Sequence, residues 1–449
     1  MCTRERVTLK TNQFVKAVKS SLPTPVANGA RALAKSVTSR TPGARARFSI
    51  EAARRLKRNS PLPNLSLTPT ESDSEVRLRL PILGAAVSVV AIKEGPKFVV
   101  GAFGTTAAAK RWLNDMFVTR TRLYLDASGR HIHAVGSTAD SDEAISLFDN
   151  CVRIVMSTRA AEESAGFSPD SAVSAYWSAG VVNFGDWAGP HILNRLTGRL
   201  PLLPSRAKLK TPVVYSVGSV LGWFDRNNVD VWGSGLMRPF TEEEVASRKK
   251  LTGVNIHAVR GKLTQQHLSD QIGWTVPDVY GDPALLLPRI YTPHRSNQGK
   301  VAFTPHGTHQ KYFAQSIRGD VNLINVRADF RDVVDSIAGA RAVVSTSLHG
   351  LIVAQAYEVP WIWLRISDHP LWGADFKFED FFSTLSNGEV SRRDVSSAEL
   401  ASLDIESLAA DAHLPSLTID LDQLVETLPV SPARGFNGFK PSTYLDSPL

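Results

Sequence analysis

The sequence predicts an α/β protein whose larger part folds into two Rossmann-like lobes, and three observations carry that expectation. From about residue 172, apolar β-type runs alternate with helical segments, the pattern of parallel sheets covered on both faces. A proline-flanked break, PRIYTPHRSNQG at 288–299, cuts that alternation into two halves. Ahead of it stand a shorter α/β stretch and a basic arm that lack the alternation.

Taken in order, residues 1–75 are rich in Ser, Thr, Pro and Arg and read as a mostly disordered arm, with a helical pattern over 46–58. This arm holds the basic character of the chain. Residues 1–60 contain fourteen Lys/Arg and two acids, while the remainder has 37 bases and 41 acids, within a net charge of +8. A solvated tail, attachment to anionic lipid or another polyanion, and an organelle transit peptide all fit that composition. Nucleic-acid binding is not expected, because only Phe14 and Phe48 interleave the charges.

Residues 76–165 read as a small α/β unit of open role. Its strands are VRLRL, AVSVVAI, KFVVGAF, TRLYLDA and HIHAVG, and its helices TAAAKRWLNDMF and DEAISLFDNCVRIVM. Residues 172–430 hold the two lobes, about 172–290 and 295–430, with a tail at 431–449. The first lobe reads AVSAYWS, VVYSVGSVL, VDVWGSGL, NIHAVRG and DVYGDPALLL as strands, with HILNRLTG, FTEEEVASRKK and KLTQQHLSDQI as helices. The second reads VAFTPHG and VNLINV as strands and QKYFAQSIRG and FRDVVDSIAGA as helices, then strand, turn, helix, strand over 342–364.

Two cysteines, Cys2 and Cys151, exclude a disulfide framework and a cysteine-based metal site. The longest apolar run, Leu80 to Ile92, is short of the roughly 20 residues that a membrane span needs. With no secretory leader pattern at the N-terminus, a cytoplasmic protein is expected, its arm free to touch a membrane surface.

The stretch AVVSTSLHGLIVAQAYEVPWIWLR (342–365) is the most informative of all. A hydroxyl-rich turn, Ser345-Thr346-Ser347, leads into Leu348-His349 at the start of a helix. Free N–H groups and the dipole make such a terminus an anion site, and a histidine there can also move a proton. Arg260, at the carboxyl end of the strand NIHAVR, can grip a carboxylate or phosphate, or sit in a structural ion pair. Gly218-Ser219 forms a turn that a ligand can approach closely. Asp186 in NFGD either caps a helix or offers a carboxylate to the cleft. Asp282 poses the same choice. His306 faces the cleft from the second lobe; with His309 nearby no further ligand completes a metal set, so none is expected. His257 reads as a core or supporting histidine. Trp361, Trp363 and Trp372 can stack on a sugar, although the first two lie in a strand and suit the core.

These elements together, NFGDWAGPHILNRLTG, VGSVL, HAVRGKLT, GDPALLLP, TPHG and STSLHGLIVAQAYEVPWIWL, resemble the polysaccharide pyruvyl transferases over about 172–385. The resemblance implies a glycosyltransferase-B-like fold, and transfer of pyruvate from phosphoenolpyruvate onto a sugar as a ketal with release of phosphate. It implies phosphoenolpyruvate contacts at Arg260 and at Leu348-His349. Some members have arginine where this chain has Ser347, so a hydroxyl and the helix N-terminus would replace that charge. In this frame His349 handles a donor-side proton or phosphate contact, and Asp186 or His306 assists the acceptor. No cofactor is expected; the partners would be phosphoenolpyruvate and a saccharide, free or lipid-linked. Two rivals stand: a nucleotide-sugar glycosyltransferase with Glu358 holding the donor ribose, and a non-catalytic scaffold in polysaccharide assembly.

Overall fold

The computed structural model describes residues 68–435 apart from 73–74, 81, 118–120, 165–169, 171, 180–182, 205–208, 295–298, 314–319 and 374. The arm up to residue 67, with its helical pattern over 46–58, and most of the C-terminal tail lie outside the described residues. The described residues divide into two compact units: those from 68 to 110 together with 132–160, and 111–131 together with those from 161 to 435.

The first unit is an antiparallel sheet. Its strands β1 (Thr68–Ser72), β2 (Glu75–Leu80), β3 (Val87–Glu94) and β4 (Lys97–Gly104) pair in sequence order. The strand β6 (His131–Thr138) follows β4. β2 alternates as half-buried strands do, with Val76, Leu78 and Leu80 inside. β1 falls in the stretch expected to be disordered; its ladder with β2 moves the arm's edge to before residue 68. Helix α1 (Ala107–Phe117) precedes β5 (Arg122–Leu125). Helix α2 (Ser141–Ser164) buries Ile145, Phe148, Val152 and Val155 at helical spacing. Residues 111–131 group with the second unit, where the Leu123 N–H donates to Asp329 at 2.7 Å.

The second unit contains two five-stranded parallel sheets. In one, β7 (Ala172–Tyr176), β8 (Leu200–Leu202), β9 (Val213–Tyr215), β10 (Val229–Trp232) and β11 (Val254–Ala258) lie in the order β11-β10-β9-β7-β8. In the other, β12 (Val301–Thr304), β13 (Val321–Leu323), β14 (Ala342–Ser345), β15 (Trp361–Ile366) and β16 (Arg392–Val395) lie in the order β13-β12-β14-β15-β16. Each sheet therefore repeats one doubly wound topology, with the second strand outside the first and the rest on its other side. In such sheets the crevice opens where the strand order reverses, beyond the carboxyl ends of the first and third strands. Here those are β7 and β9, and β12 and β14.

Two local expectations change. β8 was not anticipated, and it is only three residues long. DVYGDPALLL is not a strand: only Tyr280 bridges Val259, and Asp282 then caps a 3-10 turn at Pro283–Leu286. Proline at the first turn position lacks the N–H a ladder would use and presets the turn's φ.

The core confirms the place of two tryptophans. Trp361 and Trp363 are buried and stack on the aromatic helix α8 (Phe376–Phe382), Trp363 lying 4.4 Å from Phe378 between ring centroids. Among the described residues no helix is long and apolar enough to cross a membrane.

Candidate functional site

The loops after the four switch-point strands meet at one cavity of about 190 Å³. Ser178 and Asp186 follow β7, Ser219 follows β9, His306 follows β12, and Ser347, Leu348 and His349 follow β14. Lys377, from α8, completes the wall. Such a space holds roughly six waters or one small metabolite.

Asp186 sits in the first turn of α3 (Phe184–Thr197), but it is not the cap. Asn183 takes that role, its side chain accepting from the Gly185 N–H at 3.1 Å. Asp186 makes no hydrogen bond among the described residues and faces the cavity. Burial pushes its carboxyl up to about 7, against the opposing pull of Lys377.

His349 lies in the first turn of α7 (Leu348–Ala356). Its ring packs between two glycine turns. A Cβ on Gly185 would overlap Nδ1, and one on Gly218, whose φ is 88°, would lie 3.3 Å from Cε1. Nε2 is buried with no hydrogen-bond partner, and the closest carboxylate, Asp282, stands 4.0 Å away. Burial, then the charges of Arg260, Lys377 and His306, push the imidazole down to about 3. His306 is held near 4, by burial first and by Lys377 second. Burial and the neighbouring positive charges thus favour the neutral form of both rings at neutral pH.

The hydroxyl turn is built by Ser345 and Thr346. Ser345 Oγ donates to the Thr304 carbonyl at 2.8 Å and accepts from the Ser347 N–H at 2.9 Å. Thr346 Oγ1 accepts from the His306 N–H at 2.8 Å, which ties the β12 and β14 loops together. Ser347 occupies the N-cap position without capping, so its hydroxyl and the first N–H groups of α7 stay available to a ligand.

Arg260 is not among the residues lining this cavity. Its side chain is fully buried. Nε donates to Asp380 at 2.9 Å, Nη2 stands 2.9 Å from the same carboxylate as an ion pair and donates to the Leu236 carbonyl, and Nη1 donates to Ser219 Oγ at 2.5 Å. Asp380 also accepts from the Thr264 N–H and hydroxyl, fastening α8 to α5 (Lys262–His267). The ion-pair alternative for Arg260 is the one realised, and the guanidinium acts on the site by holding Ser219. Gly218 is likewise behind the wall, donating its N–H to Asp282 at 3.1 Å and backing the His349 ring. Removing one partner of a buried ion pair costs about 3–5 kcal/mol. Arg260→Met should accordingly lower the thermal midpoint by on the order of 10 °C, measurable by calorimetry. An unchanged midpoint would contradict a structural role.

The remaining candidates are supports. Asp282 is buried, caps the turn at 283 and is pushed up to about 6 by burial. His309 bridges Thr346 and the His369 carbonyl. His257 is half-buried beside Asp230 at 3.0 Å, not in the core. Among the described residues no three His, Cys, Asp or Glu side chains are grouped to hold a metal ion.

Lys377 was missed by sequence reasoning. It is 6% exposed, makes no hydrogen bond or ion pair among the described residues, and lines the cavity. Burial lowers it to about 8, reinforced by Arg260 and opposed by Asp186. Its charge is felt at Asp186, His306 and His349, which surround the same space. The signal was a lysine and an aspartate three apart in the phenylalanine-rich helix FKFEDFF, on one face of it.

Compared with known families, residues 180–368 match the model for polysaccharide pyruvyl transferase. The chain carries that family's domain. The pyruvyl transferase domain takes in the cavity loops from Asn183 to His349, while Lys377 and Asp380 lie beyond the matched residues. An uncharacterized protein of Acanthamoeba polyphaga mimivirus is 25% identical over 174 residues, which cover 37% of this chain and 58% of that protein. The chain thus spans a little over half the length of the curated relative it matches.

Proposed function

We propose that this domain moves pyruvate from phosphoenolpyruvate onto two hydroxyls of a saccharide as a ketal, releasing phosphate, on two Rossmann-like lobes of glycosyltransferase-B type. The observation that carries the reading is one small cavity holding an unpaired buried ammonium, an uncapped helix N-terminus and a carboxyl pushed up to about 7. Phosphoenolpyruvate has two anionic ends. Lys377 and the Ser347 hydroxyl with the α7 N–H groups offer two anion-binding poles.

The lining groups divide the chemistry by their protonation. His306 and His349 are neutral and so can accept a proton, while Asp186 and Lys377 hold protons in the wall at neutral pH. Lys377 is engaged by the donor's charge, and an anion beside Asp186 raises that carboxyl further. Asp186 is then the acid. It gives its proton to the methylene carbon, which leaves the adjacent carbon electrophilic. One sugar hydroxyl adds there and passes its proton to neutral His306. The second hydroxyl adds as the carbon–oxygen bond to phosphate breaks. Of the two hydroxyl protons, one restores Asp186 and the other leaves with phosphate.

Glu358, which the nucleotide-sugar rival requires, is exposed just beyond α7, with φ 57°, and is not among the residues lining the cavity. A cavity of about 190 Å³ also suits a small donor better than a nucleotide-sugar. A scaffold would have no use for a desolvated lysine facing a desolvated carboxyl, an arrangement that costs stability. Phosphate release from phosphoenolpyruvate, measured with a saccharide acceptor across pH, tests the assignment. Since the acid form of Asp186 is required, kcat/KM for phosphoenolpyruvate should fall as pH rises through about 7. A rate that climbs through that range would make Asp186 a base and overturn the scheme.

A further inference from the structure

A second cavity, of about 200 Å³, adjoins the first and shares Ser219, Trp223 and Met237 with it. Its distinguishing feature is two exposed indoles. Trp223 is 43% exposed and Trp372 61%, and beside Leu125 they are the large exposed apolar side chains among the described residues. Single exposed apolar residues mean little, but two tryptophans at the rim of one cavity, next to the reactive one, do not arise from core packing.

Each indole is placed by a firm element. Trp223 ends a 3-10 turn at Leu221–Trp223, whose Leu221 is buried. Trp372 precedes Gly373, where φ is 75° and a Cβ would collide with the Met237 carbonyl, so this loop lies directly on the 237 turn. The Arg238 guanidinium stands 5.7 Å from the Trp372 ring centroid and forks onto Glu244 at 2.8 and 3.0 Å. The cavity therefore combines flat apolar faces with a neutralised ion pair that can give and take hydrogen bonds. Lacking an unpaired charge, it does not suit a phosphate or carboxylate. It does suit a pyranose, which has an apolar C–H face and a rim of hydroxyls.

We propose that Trp223 and Trp372 form a saccharide subsite that holds the sugar unit next to the one receiving pyruvate, so that the acceptor is an oligosaccharide, not a single sugar. The proposal rests on the pyruvyl-transfer reading. Both indoles are rim residues, so their replacement leaves the interior packing of the fold in place.

The test is calorimetric titration of the full chain, without donor, with cellotriose, maltotriose, mannotriose and N,N′,N″-triacetylchitotriose in turn. At least one is expected to bind saturably. Trp372→Ala and Trp223→Ala should each weaken that binding by about tenfold, with phenylalanine restoring most of it, and Trp372→Ala, which lies outside the first cavity, should leave the phosphoenolpyruvate thermal shift unchanged. If none of the four binds, or if the alanine variants bind as the parent does, the subsite is wrong. Because binding is read without turnover, the two claims separate. Tryptophan-dependent binding without phosphate release contradicts pyruvyl transfer and keeps the subsite. Phosphate release at parental acceptor KM in both alanine variants does the reverse.

Discussion

Replacing Lys377 with methionine is expected to lower kcat/KM for phosphoenolpyruvate by about a hundredfold or more, the usual loss when a preorganised donor to a developing or bound anion is removed from a dry site. The side chain is 6% exposed and unpaired, so methionine of similar length fills its place without opening a void. The fold should not suffer. In the folded protein Lys377 is lowered to about 8, whereas the unfolded chain keeps that proton up to the ordinary lysine value. Holding the charge inside at neutral pH therefore opposes folding, and the methionine variant should melt at the same temperature or higher. The same change removes a positive neighbour from Asp186, so any residual activity should fall with pH at a higher value than in the parent. Near-parental kcat/KM in Lys377→Met would remove the lysine from the donor site.

Asp186→Asn should separate activity from stability more sharply. Loss of a positioned acid lowers turnover by about a hundredfold to ten-thousandfold. Stability moves the other way. The folded state holds the Asp186 proton up to about pH 7, and the unfolded chain releases it near the ordinary carboxylate value. The unfolded state thus binds fewer protons across that window, and stability falls as pH rises through it. Asparagine abolishes the effect. Its melting temperature should match the parent's below about pH 4 and exceed it above pH 7. An equal melting temperature at both ends would show that Asp186 is not desolvated.

Much of this arrangement was legible because it is local. The βα alternation, the STSLHG turn and the NFGD turn each follow from residue periodicity and cap chemistry within a dozen positions, and all three reach the cavity. What was not legible depends on distance in sequence. Arg260 and Asp380 are 120 positions apart, and nothing near Arg260 reveals that a carboxylate will bury it. That contact holds the guanidinium behind the wall, where it supports Ser219. Lys377 rides on the same helix as Asp380, so the interaction that hides the arginine also delivers the lysine. Lys377 lies beyond the residues matched to the family. The choice between cap and cleft at Asp186 turned on its neighbour: Asn183 made the cap, which freed the aspartate.

The most direct measurement is mass spectrometry of a saccharide acceptor incubated with the full chain and phosphoenolpyruvate, with phosphate followed in parallel. The acceptor is expected to gain the mass of pyruvic acid less one water, matched by one phosphate released per acceptor. An acceptor that stays unmodified with phosphoenolpyruvate, but gains a hexose from a nucleotide-sugar, would contradict it.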